Sequence, residues 1–118
     1  MLVRYRKDYE KIAMGLLSLL PELHNYDRFT EELHNAVTRH FPIYLWKDEE
    51  DNHFIAVVIL EEGESYVLLR QISFTPSERS GRNVYALLDA IKEQYPQKRL
   101  MGTLVTQPLI TVWEKNHE

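Results

Sequence analysis

Hydrophobic residues spaced three and four positions apart predict the helices of this chain, because that spacing gives a helix one apolar face. The apolar positions of three such helices run from 9 to 20, from 29 to 37 and from 84 to 95. Asp8 is expected to cap the first helix, and Pro21, Pro42 and Pro96 follow the three helices in turn and end them. A fourth helix is expected over 106–115, with Thr106 as its cap.

Alternating or unbroken apolar positions predict strands between these helices. Residues 2–6 alternate and predict a short strand near a sheet edge, whereas residues 53–60 are mostly apolar and predict a strand buried on both faces. Further strands are expected over 43–46, 65–74 and 99–105. In the strand over 65–74 the alternation places five side chains on one face: Tyr66, Leu68, Arg70, Ile72 and Phe74.

The order of these elements, β-α-α-β-β-β-α-β-α, predicts a single α/β (α+β) domain over residues 1–118. The three consecutive strands form a meander, and the later strand, helix and strand form a crossover unit. We therefore expect a mixed, mostly antiparallel central sheet flanked by helices. A chain of 118 residues, 44% of them apolar, is long enough for one core and too short for two domains.

Charge and cysteine content exclude several classes of function. The formal net charge is -4, so no overall positive field attracts nucleic acid or an anionic membrane. The sequence contains no cysteine, which excludes disulfides, thiolate metal sites and cysteine nucleophiles and is typical of a reducing cytoplasm. The longest apolar run, which contains Ile55 to Leu60, is far below the length of a membrane span. We therefore expect a soluble cytoplasmic protein with no nucleic-acid or membrane partner.

The stretch FTPSERSGRNVYALLDAIKE carries the most informative candidate chemistry. A helix that begins shortly after a strand presents unpaired backbone N–H groups and a partial positive charge. Arg79, Ser80 and Arg82 add donors that suit the geometry of phosphate. One interpretation is an anion-binding site. The alternative is an ordinary strand-to-helix turn in which both arginines are simply solvated.

The register Pro76-x-x-Arg79, followed by Leu87-Leu88 in the next helix, resembles the acyl-CoA-binding motif of the GNAT superfamily of N-acetyltransferases. The order of elements resembles that superfamily as well. More narrowly, the opening RYRKDYEKIAMGLLSLLP and the segment YLWKDEED resemble the RibT proteins, which are encoded with riboflavin biosynthesis enzymes in Gram-positive bacteria. The resemblance covers most of the chain and implies a GNAT-like fold and a small N-acetyltransferase.

This resemblance also implies a co-substrate, an acceptor and a set of contacts. Acetyl-CoA would donate the acetyl group to an amine of unknown structure, with a link to riboflavin metabolism. The backbone of three strand residues would hold the acyl and pantetheine groups: Ile72, Ser73 and Phe74. The loop and the first helical turn would hold the CoA diphosphate: Arg79, Ser80, Gly81, Arg82, Asn83, Val84 and Tyr85.

Two loop positions differ from the superfamily pattern Arg/Gln-x-x-Gly-x-Gly/Ala, because Arg82 and Val84 occupy the two small positions. Gly81 lies one position before the first of them. Either the side chains of Arg79 and Arg82 hold the diphosphate by charge, or Arg82 obstructs its approach to the backbone. Val84 continues the apolar stripe of the helix and is expected to face the core.

No catalytic residue is assigned. The superfamily often uses a tyrosine in the last helix as an acid, but the matching segment here contains Trp113, and indole is no useful acid near neutral pH. We expect Trp113 in the core because it shares the apolar face of its helix with Leu109 and Ile110. His53, Glu61 and Glu62 are candidate bases, although polar residues beside hairpin turns usually serve solubility. Three histidines near the second helix share no helical face, so no metal site is expected: His24, His34 and His40.

Three functions are compatible with these sequence features. The first is an active CoA-dependent N-acetyltransferase. The second is an acyltransferase-like binding or regulatory protein without turnover, which the residues Arg82, Val84 and Trp113 favour. The third is a structural α/β module that forms a homodimer through an exposed strand or helix face.

Overall fold

The structure, a computed structural model, describes residues 1–116. The five strands are β1 (Leu2–Arg4), β2 (Ile43–Lys47), β3 (Phe54–Glu62), β4 (Tyr66–Phe74) and β5 (Arg99–Gly102). The four helices are α1 (Glu10–Leu17), α2 (Tyr26–Thr38), α3 (Gly81–Gln94) and α4 (Gln107–Lys115). The predicted order is therefore confirmed, with short 3₁₀ turns between some elements. Among these residues no helix is both long enough and apolar enough to cross a bilayer.

One five-stranded sheet runs in the order β1-β2-β3-β4-β5. The first three neighbouring pairs are antiparallel. β4 and β5 are parallel because α3 connects them as a crossover. The mixed, mostly antiparallel sheet and the edge position of β1 are thus confirmed.

Two apolar clusters cover the two faces of this sheet. Helices α3 and α4 pack on one side, which we call the α3 face, and α1 and α2 pack on the other, the α1 face. Leu87 is fully buried in the first cluster, and Leu17 is fully buried in the second. Strand β3 contributes to both, with Val58 on the α3 face and Val57 on the α1 face. The predicted burial of β3 on both faces is therefore confirmed.

A β-bulge in β4 corrects the predicted alternation of its side chains. Leu69 and Gln71 pair with consecutive residues of β3, so Arg70 is an extra residue. Leu69 and Ile72 consequently pack in the cluster of the α3 face, whereas Arg70 and Gln71 contact residues of the α1 face. The prediction that residues 66, 68 and 70 share a face with residues 72 and 74 is wrong, because the bulge reverses the alternation between them.

The first two helices have different ends from those predicted. A 3₁₀ turn over Lys7–Tyr9 precedes α1, which therefore begins at Glu10 without a side-chain cap from Asp8. Helix α2 ends before Pro42 because His40 adopts the left-handed conformation, with φ of 59°.

Candidate functional site

The pairing of β4 with β5 stops at Leu69, and the hydroxyl of Thr106 explains why. In a continuing parallel ladder the carbonyl of Leu69 would accept the N–H of Thr103. Thr103 instead donates to Thr106 Oγ1 at 2.9 Å, and Thr106 Oγ1 donates to the Leu69 carbonyl at 2.7 Å. Thr106 precedes α4 as predicted, but its hydroxyl joins the two strands rather than capping the helix. Beyond this hydroxyl β4 continues to Phe74, whereas β5 has ended at Gly102, and this leaves a gap beside β4.

Gly102 ends β5 in close contact with the start of α4. Its N–H donates to Gln107 Oε1 at 2.8 Å. A Cβ atom at Gly102 would lie 2.6 Å from the backbone nitrogen of Gln107 and 2.7 Å from Thr106 Oγ1. The chain can therefore turn from β5 into α4 here only because Gly102 has no side chain.

Backbone N–H and C=O groups of β4 that pair with no described strand line the gap. Thr75 donates its N–H to the carbonyl of Ile55 in β3 at 2.9 Å. Because successive residues of a strand direct their N–H and C=O groups to alternate sides, Ile72 and Phe74 direct theirs away from β3. The space beside this stretch of β4, beyond Leu69 and Thr106, is called the β4–β5 gap.

The backbone of Ser73, which was also expected to contact the acyl and pantetheine groups, does not face the gap. The alternation that turns Ile72 and Phe74 towards the gap turns the backbone of Ser73 towards β3. Its side chain is buried on the α1 face, where Oγ donates to the carbonyl of Leu16 at 2.6 Å. The backbone contact expected of Ser73 stays a prediction, and in this structure its backbone is directed to β3.

Hydrogen bonds from side chains fix the conformation of the loop over residues 75–80, which is called the α3 loop. Ser80 caps α3, since its Oγ accepts the N–H of Asn83 at 3.2 Å. The Asn83 Nδ2 group donates to the backbone carbonyl of Glu78 at 2.8 Å and to its Oε2 at 3.3 Å. Val84 donates its N–H to the carbonyl of Ser80 at 3.0 Å. The backbone N–H groups of Asn83 and Val84 are thus already engaged.

Two amides and two guanidinium groups stay available at this end of α3. Gly81 and Arg82 lie in the first turn, where an α-helix offers their N–H groups no acceptor. No atom lies within 4 Å of the position that a Cβ of Gly81 would take. The side chains of Arg79 and Arg82 are exposed, and neither forms an ion pair within residues 1–116. Such a set of donors suits a phosphate group.

Val84 and Tyr85 belong to the core side of α3. Val84 is 9% exposed and packs in the cluster of the α3 face, so the expectation that it faces the core is confirmed. Tyr85 is partly buried against the same cluster. The N–H of Val84 is engaged with Ser80, so the proposal below does not use Val84 as a diphosphate contact.

Comparison with known proteins decides the family. A curated protein of Bacillus methanolicus, described as an uncharacterized N-acetyltransferase in the lysA 3' region, is 34% identical over 119 residues, which span 99% of this chain and 98% of that protein. This chain belongs to the GNAT-type N-acetyltransferases. No protein-family model matches it.

Solved acetyltransferases share the fold at low sequence identity. A crystal structure of a probable acetyltransferase matches with a TM-score of 0.74 and 15% identity, over 98% of this chain and 87% of that one. The structure of AAC(6')-Iy in complex with the bisubstrate analogue CoA-S-monomethyl-acetylneamine matches with a TM-score of 0.69 and 17% identity, over 99% of this chain and 86% of that one. The GNAT-like α+β fold expected from the sequence is therefore confirmed.

In this acetyltransferase the last helix places Trp113 in the core. Trp113 is 6% exposed and packs in the cluster of the α3 face, as expected. Its Nε1 donates to Asp89 Oδ1 of α3 at 2.9 Å. Helix α4 reads QPLITVWEK and contains no tyrosine.

Two of the three candidate bases, Glu61 and Glu62 at the end of β3, are held in ion pairs. Glu61 accepts a bond from Arg70 at 2.9 Å, and Glu62 accepts one from Lys98 at 2.6 Å. Both contacts favour the structural role for these carboxylates. In the part of the chain that the structure describes, no group of three or more His, Asp or Glu side chains could hold a metal ion.

Negative charge lies beside the α3 loop. A depression of about 340 Å³ is lined by Asn83 and by four acidic residues, Asp48, Glu49 and Glu50 of the turn between β2 and β3 and Glu78, which outnumber the cationic Lys47 that also lines it. A phosphate that approaches α3 therefore meets repulsion from this side. The two exposed arginines supply the opposing charge.

Sequence reasoning missed two contacts at the gap. One is the Thr106 hydroxyl between the strands. The other joins helix and sheet, where Gln71 Nε2 donates to Glu32 Oε1 at 3.4 Å. Periodicity reports which face a residue occupies and not which hydrogen bond it makes, so the only available signal was a polar glutamine within a mostly apolar strand.

Proposed function

We propose that this protein is an acetyl-CoA-dependent N-acetyltransferase in which the α3 loop binds the CoA diphosphate and the β4–β5 gap receives the pantetheine arm and the acetyl group. The observation that carries the proposal is that two sets of donors lie close together along the chain. The amides of Gly81 and Arg82 and the exposed arginine side chains lie one short loop away from the free backbone of Ile72 and Phe74.

The gap suits the chemistry of acetyl transfer. The nitrogen of the acceptor amine attacks the carbonyl carbon of the thioester, the C–S bond breaks, and CoA leaves with the amine's proton as the free thiol. Negative charge develops on the carbonyl oxygen during the attack, and a fixed backbone N–H stabilises such charge. In this chain the N–H groups directed into the gap are those of Ile72 and Phe74.

The acceptor in this proposal is an amine. AAC(6')-Iy, which shares the fold, has been crystallised with an analogue that joins CoA to acetylneamine, an aminoglycoside fragment. The resemblance to RibT proteins supports a role beside riboflavin biosynthesis. An acceptor panel for this enzyme therefore contains polyamines, aminoglycosides and amino-substituted flavin precursors.

A CoA-binding protein without turnover is the second candidate. One observation favours it: α4 contains no tyrosine, and its Trp113 is buried against α3 rather than directed to the gap. Acetyl transfer to any amine of the panel excludes this candidate. Binding of CoA without transfer to any of them supports it.

Thermal denaturation with CoA and acetyl-CoA tests both candidates. At a ligand concentration 100 times the dissociation constant, a single site raises the free energy of unfolding by about 2.7 kcal/mol. For a domain of this size we expect a melting temperature roughly 10 °C higher. If neither ligand changes the melting temperature at millimolar concentration, both candidates are wrong and the interaction module remains.

Replacement of Gly81 by alanine tests the position of the diphosphate. We expect Gly81→Ala to weaken CoA binding about tenfold, because the new methyl group enters the open space in which a phosphate would contact the first turn. Stability should not fall, since no protein atom lies within 4 Å of that methyl group. Calorimetric titration with CoA measures the effect.

Gly15→Ala is the matched control for this substitution. Gly15 also has no atom within 4 Å of its Cβ position and lies in α1 on the other face of the sheet. CoA affinity should be unchanged in this variant. Equal affinities of both variants and the unmodified protein would place the diphosphate away from Gly81.

A further inference from the structure

Two side chains of β4 lie next to the gap on the α1 face, and only one of them is accessible. Ser73 is 1% exposed, and its hydroxyl is engaged with the carbonyl of Leu16. Gln71 is partly exposed and donates through Nε2 to Glu32 Oε1 of α2 at 3.4 Å. Gln71 and Glu32 therefore form a polar pair on this face, beside the segment of β4 that borders the gap.

Glu32 keeps its negative charge available for a ligand. Within residues 1–116 it takes part in no ion pair. The nearest arginine along β4, Arg70, is bound to Glu61 at 2.9 Å and lies over the ring of Phe41 at 5.1 Å. A half-buried carboxylate without a cationic partner favours a cationic ligand, because burial weakens the screening of its charge by water.

The direction from which an acceptor must approach follows from the proposed CoA site. The first turn of α3 belongs to the α3 face, so CoA that binds there occupies the gap from that side. An amine that attacks the acetyl group then has to come from the α1 face. On that face Gln71 directly precedes Ile72, whose backbone lines the gap.

We infer that Glu32 and Gln71 form the recognition site for the acceptor, which binds through a protonated amino group other than the neutral one that is acetylated, and that the enzyme selects amines that carry such a second, cationic group. The inference rests on the proposed function. Glu32 supplies the charge, and Gln71 holds the carboxylate in place and offers its side-chain oxygen to a second N–H of the same group. Acceptors that carry a carboxylate beside the amine are disfavoured by repulsion from Glu32.

The test compares Glu32→Gln with Glu31→Gln. Both variants remove one negative charge from α2, but Glu31 is exposed and, within residues 1–116, forms no side-chain hydrogen bond or ion pair with β4. Spermidine and neamine serve as acceptor probes, with acetyl-CoA as the donor. We expect Glu32→Gln to raise KM for the amine about tenfold, with a smaller effect on kcat and none on the dissociation constant of CoA. Glu31→Gln should resemble the unmodified enzyme.

A charge-conserving variant separates recognition from a purely structural role. Glu32→Asp should recover part of the lost amine affinity, whereas a packing defect would not follow charge. Equal KM values for Glu32→Gln and Glu31→Gln overturn the inference, and so does the failure of both amines to bind to or react with a protein that binds CoA. Failure to bind CoA at all would instead refute the proposed function itself, which the titration with CoA detects separately.

Discussion

We expect Gly102→Ala to lower the free energy of unfolding by about 3 kcal/mol, and the melting temperature by roughly 10 °C, because the new methyl group meets backbone atoms. Its Cβ would lie 2.6 Å from the nitrogen and 2.7 Å from the Cα of Gln107. The backbone of Gly102 has no positive φ, so the restriction is one of space and not of conformation. Thermal and urea denaturation measure the loss.

The control for this effect is again Gly15→Ala, which lies in the interior of α1 with open space around its Cβ position. Alanine is the better helix former by about 0.5–1 kcal/mol, so this variant should be slightly more stable than the unmodified protein. If Gly102→Ala were equally well tolerated, the close contact between β5 and α4 would not exist in solution.

Loss of both Arg79 and Arg82 should have the largest effect on CoA binding. We expect the double variant Arg79→Ala, Arg82→Ala to bind CoA about 2 kcal/mol more weakly, which is roughly 30-fold, because charge-assisted hydrogen bonds to the diphosphate are removed. The nearby acidic turn would then repel the ligand without compensation. The difference should shrink as salt is added. Calorimetric titration at low and high ionic strength measures both effects.

A second double variant controls for net charge. Arg28→Ala combined with Lys115→Ala removes the same two charges from α2 and α4, away from the α3 loop. It should bind CoA as the unmodified protein does. The single variant Arg82→Gly then decides between the two roles of this residue, because tighter binding would identify the arginine side chain as an obstruction.

Most of the fold could be predicted from the sequence because it depends on periodic burial. The spacing of Leu16, Leu87 and their apolar neighbours specifies helices with one buried face, and the unbroken apolar run of β3 specifies a strand covered on both sides. The bulge at Arg70 was not predicted, because Leu68 is also apolar and continues the alternation of Ile72 and Phe74 without an extra residue. Its effect appears only when two strands are paired.

The candidate site was predictable to the extent that it is local. Ser80, Gly81 and Arg82 follow one another at a helix start, and the chemistry of that position follows from helix geometry alone. The contact between Glu32 and Gln71 joins residues 39 positions apart and depends on how α2 lies over β4. No pattern within either segment contains that information.

The bond between Gly102 N–H and Gln107 Oε1 also bears on how the protein behaves at high concentration. An edge strand with free N–H and C=O groups is a template for another chain, and proteins usually protect such edges. β5 is the outer strand of the described sheet, and in its ladder Leu100 and Gly102 direct their amides outward. The amide of Gly102 is already hydrogen-bonded to Gln107. The exposed edge of this short strand therefore offers another chain little more than the backbone N–H and C=O groups of Leu100. The same side chain that anchors α4 therefore disfavours growth of the sheet by strand addition from a second copy.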